Sequence, residues 1–146
     1  MADAGHKILL VDDSEDDRLL LRRSLKRFTD VRIVGEAEDG QSAIDYLSGI
    51  GDFSDRDRFP LPDTMVLDLN MPGLNGFDVL EWLRDEEFTG LGIIILSSSG
   101  LQVDMERAKG LGAHHYVVKG PMEQMAGKIA QLLALSSSSP PIVAAP

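Results

Sequence analysis

Five side chains have the chemistry to handle a phosphoryl group, and each directly follows a short apolar run. Residues 8–11 run into Asp12 and Asp13, residues 65–67 into Asp68, residues 93–96 into Ser97, and residues 116–118 into Lys119. If those runs are parallel strands of an open sheet, all five side chains lie at its carboxyl edge, where such sheets bind ligands. With the first and third strands adjacent, Asp12, Asp13 and Asp68 meet. Close carboxylates repel, so they must share a proton or hold a cation. Hard oxygen donors suit Mg²⁺, which is commonly held by one or two carboxylates plus water and phosphate oxygens. A hydroxyl and an ammonium opposite them suit phosphoryl oxygens.

Each residue also has a plainer reading. Asp12 and Asp13 suit the start of a helix. Asp68, ahead of Asn70, Pro72 and Gly73, suits a turn. Ser97 opens a Ser97-Ser98-Ser99-Gly100 loop, and Lys119 suits solvent. Four chemically matched groups, each at a strand's carboxyl end, are harder to dismiss together than singly.

The elements that must position them are legible. Runs at 8–11, 65–67 and 93–96, with weaker ones at 31–34 and 116–118, suit strands buried on both faces. Between them lie helical stripes: Leu21, Leu25 and Phe28; Ala43, Leu47 and Ile50; Leu80 and Leu83; Leu101, Met105 and Ala108; Met122, Met125, Ile129 and Leu132. Ser14 is an expected N-cap, with Asp16 and Asp17 in the first turn. Asp39-Gly40 is a turn signal, and Pro121 is expected at the first helical position. Strand and helix alternate five times. That predicts an α/β fold with a five-stranded parallel sheet and helices on both faces. Residues 48–63 exceed the usual connection of about 2–6 residues and read as an insertion or an interaction loop. The expected division is a domain over 1–135 and a Ser/Pro-rich tail over 136–146.

Composition narrows the function. At 146 residues one domain is expected. Fourteen basic against 24 acidic residues give −10, which disfavours nucleic acid and anionic membrane as direct partners. There is no cysteine, so no disulfide or thiolate site is possible. No membrane-length apolar run, signal peptide, GxxxxGK[ST] loop or GxGxxG turn stands out, and a cytoplasmic location is the expectation. His6, His114 and His115 form no metal-ligand pattern.

The chain from about residue 7 to 135 resembles the receiver domains of two-component response regulators. Ile8-Leu9-Leu10-Val11-Asp12-Asp13-Ser14 is similar to their acidic first-strand end. Asp68-Leu69-Asn70-Met71-Pro72-Gly73-Leu74-Asn75-Gly76 is similar to their phosphoacceptor loop. Ile94-Ile95-Leu96-Ser97-Ser98 and Gly112-Ala113-His114-His115-Tyr116-Val117-Val118-Lys119 are similar to their fourth and fifth strands. The resemblance implies a doubly wound, flavodoxin-like fold. It implies that Asp68 takes a phosphoryl group from a histidine kinase. It further implies that Asp13, Asp68 and the Asn70 carbonyl ligate Mg²⁺, with Asp12 acting through water. Ser97 and Lys119 would hold phosphoryl oxygens, and Tyr116 would turn with Ser97 in a switch. The chain departs from the family at Gly120, which separates Lys119 from Pro121 where proline usually follows lysine.

The expected function is therefore a stand-alone phosphoacceptor that signals by protein contact or phosphorelay. The expected partner is a sensor histidine kinase, of phytochrome type judging by the long 48–63 loop and the tail, or a histidine phosphotransfer protein. A homodimer through the fourth helix, fifth strand and fifth helix is a further expectation. The alternatives weighed are an Asp-nucleophile phosphatase and a flavin carrier on a similar sheet. The first wants a second acid two residues after the nucleophile, where Asn70 stands. The second wants a hydroxyl-rich loop where Asp12-Asp13-Ser14-Glu15 stands.

Overall fold

A computed structural model of the chain describes residues 5–28 and 30–138. Five strands, β1 (His6–Val11), β2 (Val31–Ala37), β3 (Thr64–Leu67), β4 (Gly92–Ser97) and β5 (His115–Val118), alternate with five helices. These are α1 (Glu15–Leu25), α2 (Gly40–Ser48), α3 (Gly76–Asp85), α4 (Gln102–Gly110) and α5 (Met122–Ser138). The sheet is parallel throughout, in the order β2-β1-β3-β4-β5. The order reverses between β1 and β3, and this switch point opens the crevice in which doubly wound sheets bind ligands.

The sheet's period of two divides the core. Leu9, Val11, Met65, Leu67, Ile93 and Ile95 pack with α2 and α3 on one face. Ile8, Leu10, Val66, Ile94, Leu96 and Val117 pack with α1 and α5 on the other. Central strands buried on both sides explain why their sequences are continuous apolar runs. The register of β1 against β2 slips by one residue: Ile8 pairs with Ile33 but Leu9 pairs with Gly35. Gly35 is there because of Tyr46: a Cβ at Gly35 would stand 2.3 Å from the Tyr46 ring.

Two helical stripes are shorter than expected. Ile50 is 52% exposed, because Gly49 turns left-handed at φ 69° and ends α2 at Ser48 before the third apolar position arrives. Leu101 is 63% exposed and stands at the N-cap of α4, which buries only Ala108. Pro121 lies one residue before the first helical position, its carbonyl accepting from the Gln124 and Met125 N–H groups. Helix α5 runs to Ser138, three residues past the expected boundary at 135. The rest of the expected tail, 139–146, lies outside the described residues. No cis peptide bond occurs among the described residues.

The 48–63 segment is pinned to the domain. Gly51–Phe53 forms a 3₁₀ turn. Phe53 and Phe59 pack on the buried ring of Tyr46 at centroid distances of 5.0 and 6.0 Å. The Tyr46 hydroxyl lies 3.1 Å from the Val34 carbonyl oxygen and 2.9 Å from that of Pro60. Arg56 donates to the Leu47 and Phe59 carbonyls, tying the segment back to α2.

Candidate functional site

The carboxyl ends of β1 and β3 place three acids together. Asp12 and Asp13 leave β1, and Asp68 leaves β3 beside it, with its N–H on the Val11 carbonyl at 2.9 Å. One oxygen from each of Asp12, Asp13 and Asp68 lies within 4.8 Å of the others. Asp12 and Asp68 are buried, while Asp13 faces solvent. An all-oxygen donor set with one open side fits a small divalent cation such as Mg²⁺ or Mn²⁺.

The loops that hold these acids are built locally. The Ser14 hydroxyl caps α1 through the Asp17 N–H, and Asp12 Oδ1 accepts the Ser14 N–H at 2.9 Å. The Asp68–Gly76 loop is fixed at its far end by a capping box, in which Asn75 and Asp78 exchange side chain-to-backbone hydrogen bonds. Gly76 lets α3 sit on the loop: a Cβ there would stand 2.6 Å from the Asp68 carbonyl oxygen.

Lys119 reaches the cluster from β5. Its Nζ lies 3.2 Å from Asp12 Oδ2, 3.6 Å from Asp68 Oδ2 and 3.7 Å from Asp17 Oδ2. Burial opposes its charge, but Asp68 and Asp12 outweigh that and raise its pKa, so it remains an ammonium. Asp68 is 4% exposed, and burial first, then Asp12 and Asp13, push its pKa up to about 6 against the opposing pull of Lys119 and the Asn70 N–H. That N–H donates to Asp68 Oδ1 at 3.2 Å, while the Asn70 side chain is exposed. A cavity of about 130 Å³ opens beside Asp12, Asp68 and Lys119 between α1 and α5.

Ser97 ends β4 and is fully buried, and the Lys119 N–H donates to its carbonyl at 2.7 Å. Tyr116, half-buried on β5, makes no hydrogen bond to Ser97. Both meet at Ser99, a residue sequence reasoning passed over as one serine in a loop. Its N–H donates to Ser97 Oγ at 3.1 Å, and its carbonyl accepts the Tyr116 hydroxyl at 2.9 Å. Its own hydroxyl donates to Asp104 Oδ2 at 2.6 Å and accepts the Leu101 N–H. The sequence held a weak signal for this: serine followed by an acid five residues on, across a helix start.

Known proteins share this sequence pattern and fold. The response regulator receiver domain model matches residues 8–130. The nitrate/nitrite response regulator protein NarL of Escherichia coli K12 is 33% identical over 112 residues, which is 77% of this chain and 47% of that protein. The chain thus spans about half the length of that relative. The response regulator RPA3017 in red light signaling of R. palustris is 30% identical with a TM-score of 0.77, covering 89% of this chain and 92% of that one. The Mn²⁺-bound form of response regulator Rcp1 is 26% identical with a TM-score of 0.78, covering 92% and 99%. Fold, acidic crevice and sequence together make the chain a member of the response regulator receiver domain family.

Proposed function

We propose that Asp68 is the phosphoacceptor of this chain and that a histidine kinase supplies the phosphoryl group. The observation that carries this is the buried Asp68 carboxylate facing both two further acids and the Lys119 ammonium. An Asp68 oxygen attacks phosphorus, the bond from phosphorus to the donor imidazole nitrogen breaks, and an acyl phosphate forms. With a pKa near 6, Asp68 is ionised at neutral pH yet more basic than an ordinary carboxylate, which favours attack. Lys119 offsets charge on the phosphoryl oxygens, and the Asn70 N–H orients the nucleophile. A divalent cation would be held by Asp13, Asp68 and the Asn70 carbonyl, with Asp12 through water, and would neutralise charge as phosphoryl transfer requires.

Ser97 gives its hydroxyl to the new phosphoryl group by surrendering the Ser99 N–H. The β4–α4 loop then moves, and Tyr116 loses its partner at the Ser99 carbonyl and turns. This is a population shift between two packings biased by one added charged group. The output is protein contact or phosphorelay, with α4, β5 and α5 as the surface read. Exposed Leu101, Val103 and Val118 on that side support a partner or a second copy there. The likeness to the cyanobacterial phytochrome response regulator RcpA, 26% identical with a TM-score of 0.77, supports a kinase of phytochrome type, with a histidine phosphotransfer protein as the other donor. Asn70 in place of a second acid disfavours the phosphatase reading, so signalling is the role and turnover of exogenous phosphoesters is not.

The test is labelling by acetyl phosphate with Mg²⁺ or by a purified kinase. Asp68→Asn is expected to abolish it, and labelling at the wild-type level would overturn the assignment.

A further inference from the structure

Two of the three crevice acids are aimed by hydrogen bonds of their own, and the third is not. Asp12 Oδ1 accepts the Ser14 N–H, and its Oδ2 accepts from Lys119 Nζ at 3.2 Å. Asp68 Oδ1 accepts the Asn70 N–H. The exposed Asp13 side chain makes no hydrogen bond or ion pair with a described residue. Its direction is therefore set by the backbone that carries it, beginning with the peptide unit between Asp12 and Asp13.

One side chain holds that peptide unit. Arg18, on α1, donates from Nη1 to the Asp12 carbonyl. Its Nε donates to Glu36 Oε1 at 3.0 Å, and the second Glu36 oxygen pairs with Arg22. The sheet register places Glu36 opposite Leu10, two residues before Asp12. The Arg18 side chain is only 12% exposed. A buried ion pair is weak evidence of a stabilising role, because desolvation offsets most of the attraction. What this one secures is geometry: a rigid guanidinium has one N–H on Glu36 and another on the turn that carries the acids.

We propose that Arg18, anchored by Glu36, is a positioning residue for the divalent cation: by fixing the Asp12 carbonyl it fixes the peptide from which Asp13 projects. This rests on the reading of Asp13 as a metal ligand given above. Groups one step removed from a metal are commonly worth about 10–100-fold in its affinity. The sign of the effect separates positioning from plain electrostatics. A positive charge beside the site repels Mg²⁺, so removing it tightens binding if charge is all that Arg18 contributes. Positioning requires the reverse, that binding weakens when Arg18 is removed.

The experiment is calorimetric titration of the full chain with Mg²⁺ and with Mn²⁺ at neutral pH, well below the melting transition. Arg18→Met keeps an apolar stem and removes the charge, and is expected to bind either ion about tenfold more weakly or worse. Arg18→Lys is the milder variant: it keeps the charge but has a single ammonium in place of the fork, so it too is expected to bind more weakly, where electrostatics alone predicts no change. The pair also joins α1 to β2, so melting in EDTA should fall in Arg18→Met. A merely structural pair would lower that melting temperature and leave the affinity of the folded chain alone. Asp13→Ala is the control. If it is impaired while either Arg18 variant binds Mg²⁺ as tightly as wild type or tighter, the positioning role is overturned and the metal site stands. Wild-type affinity in Asp13→Ala would overturn the metal-site reading itself, and the role of Arg18 with it.

Discussion

Asp68 shows how one burial event serves chemistry at a cost in stability. Its carboxyl titrates near 6 in the fold and near 3.8 unfolded. Below pH 3.8 both states are protonated and the group contributes nothing. Between 3.8 and 6 the unfolded chain gives up the proton first, so the unfolded state binds fewer protons and stability falls as pH rises. Two units correspond to about 2–3 kcal/mol. Asp68→Asn is therefore expected to be more stable than wild type at pH 7 in metal-free buffer by about that amount, with the difference vanishing toward pH 4. Urea unfolding at both pH values measures it, and a difference that stayed constant would contradict the burial account. At this scale the sequence was informative for Asp12, Asp13, Asp68 and Lys119, because strand ends mark the crevice. It gave only a weak signal for Ser99, whose importance lies in four hydrogen bonds to groups up to 17 residues away.

The same limit appears among the elements. The three central strands, buried on both faces, announce themselves as apolar runs, and the two edge strands were legible as weaker ones. Helices that pack by one or two residues do not: α4 buries only Ala108, so its apparent stripe through Leu101 carried no packing. The 48–63 segment was legible as long but not as fixed, because its anchor is a tyrosine on α2 and an arginine within the segment, joined only in three dimensions. Tyr46→Phe keeps the ring and removes the hydroxyl shared by Val34 and Pro60. A loss of about 1–2 kcal/mol is expected, with faster hydrogen exchange confined to residues 51–60 and β2. Exchange spread evenly over the sheet would argue that the segment is not held by that hydroxyl. Gly35→Ala should be worse, since the ring that would have to move is buried.

For the whole molecule, the strand order β2-β1-β3 is what turns separate acids into one crevice, and no local pattern encodes it. Three carboxylates against one ammonium leave a local excess of two negative charges. A divalent cation binding only the folded state should raise stability by about 2.7 kcal/mol at a hundredfold excess over its dissociation constant. Mg²⁺ is expected to raise the melting temperature of wild type, and Asp13→Ala should lose most of that rise. A full rise in the variant would remove Asp13 from the metal site. The sheet's two rims have a further consequence. β2 carries a register slip and gives its Val34 carbonyl to Tyr46, and β5 is only four residues long. Neither rim offers a long, straight row of free amide groups to a neighbouring chain. The sheet is thus a poor template for cross-β growth, and the tyrosine that anchors a loop also blunts the edge to which it is bonded.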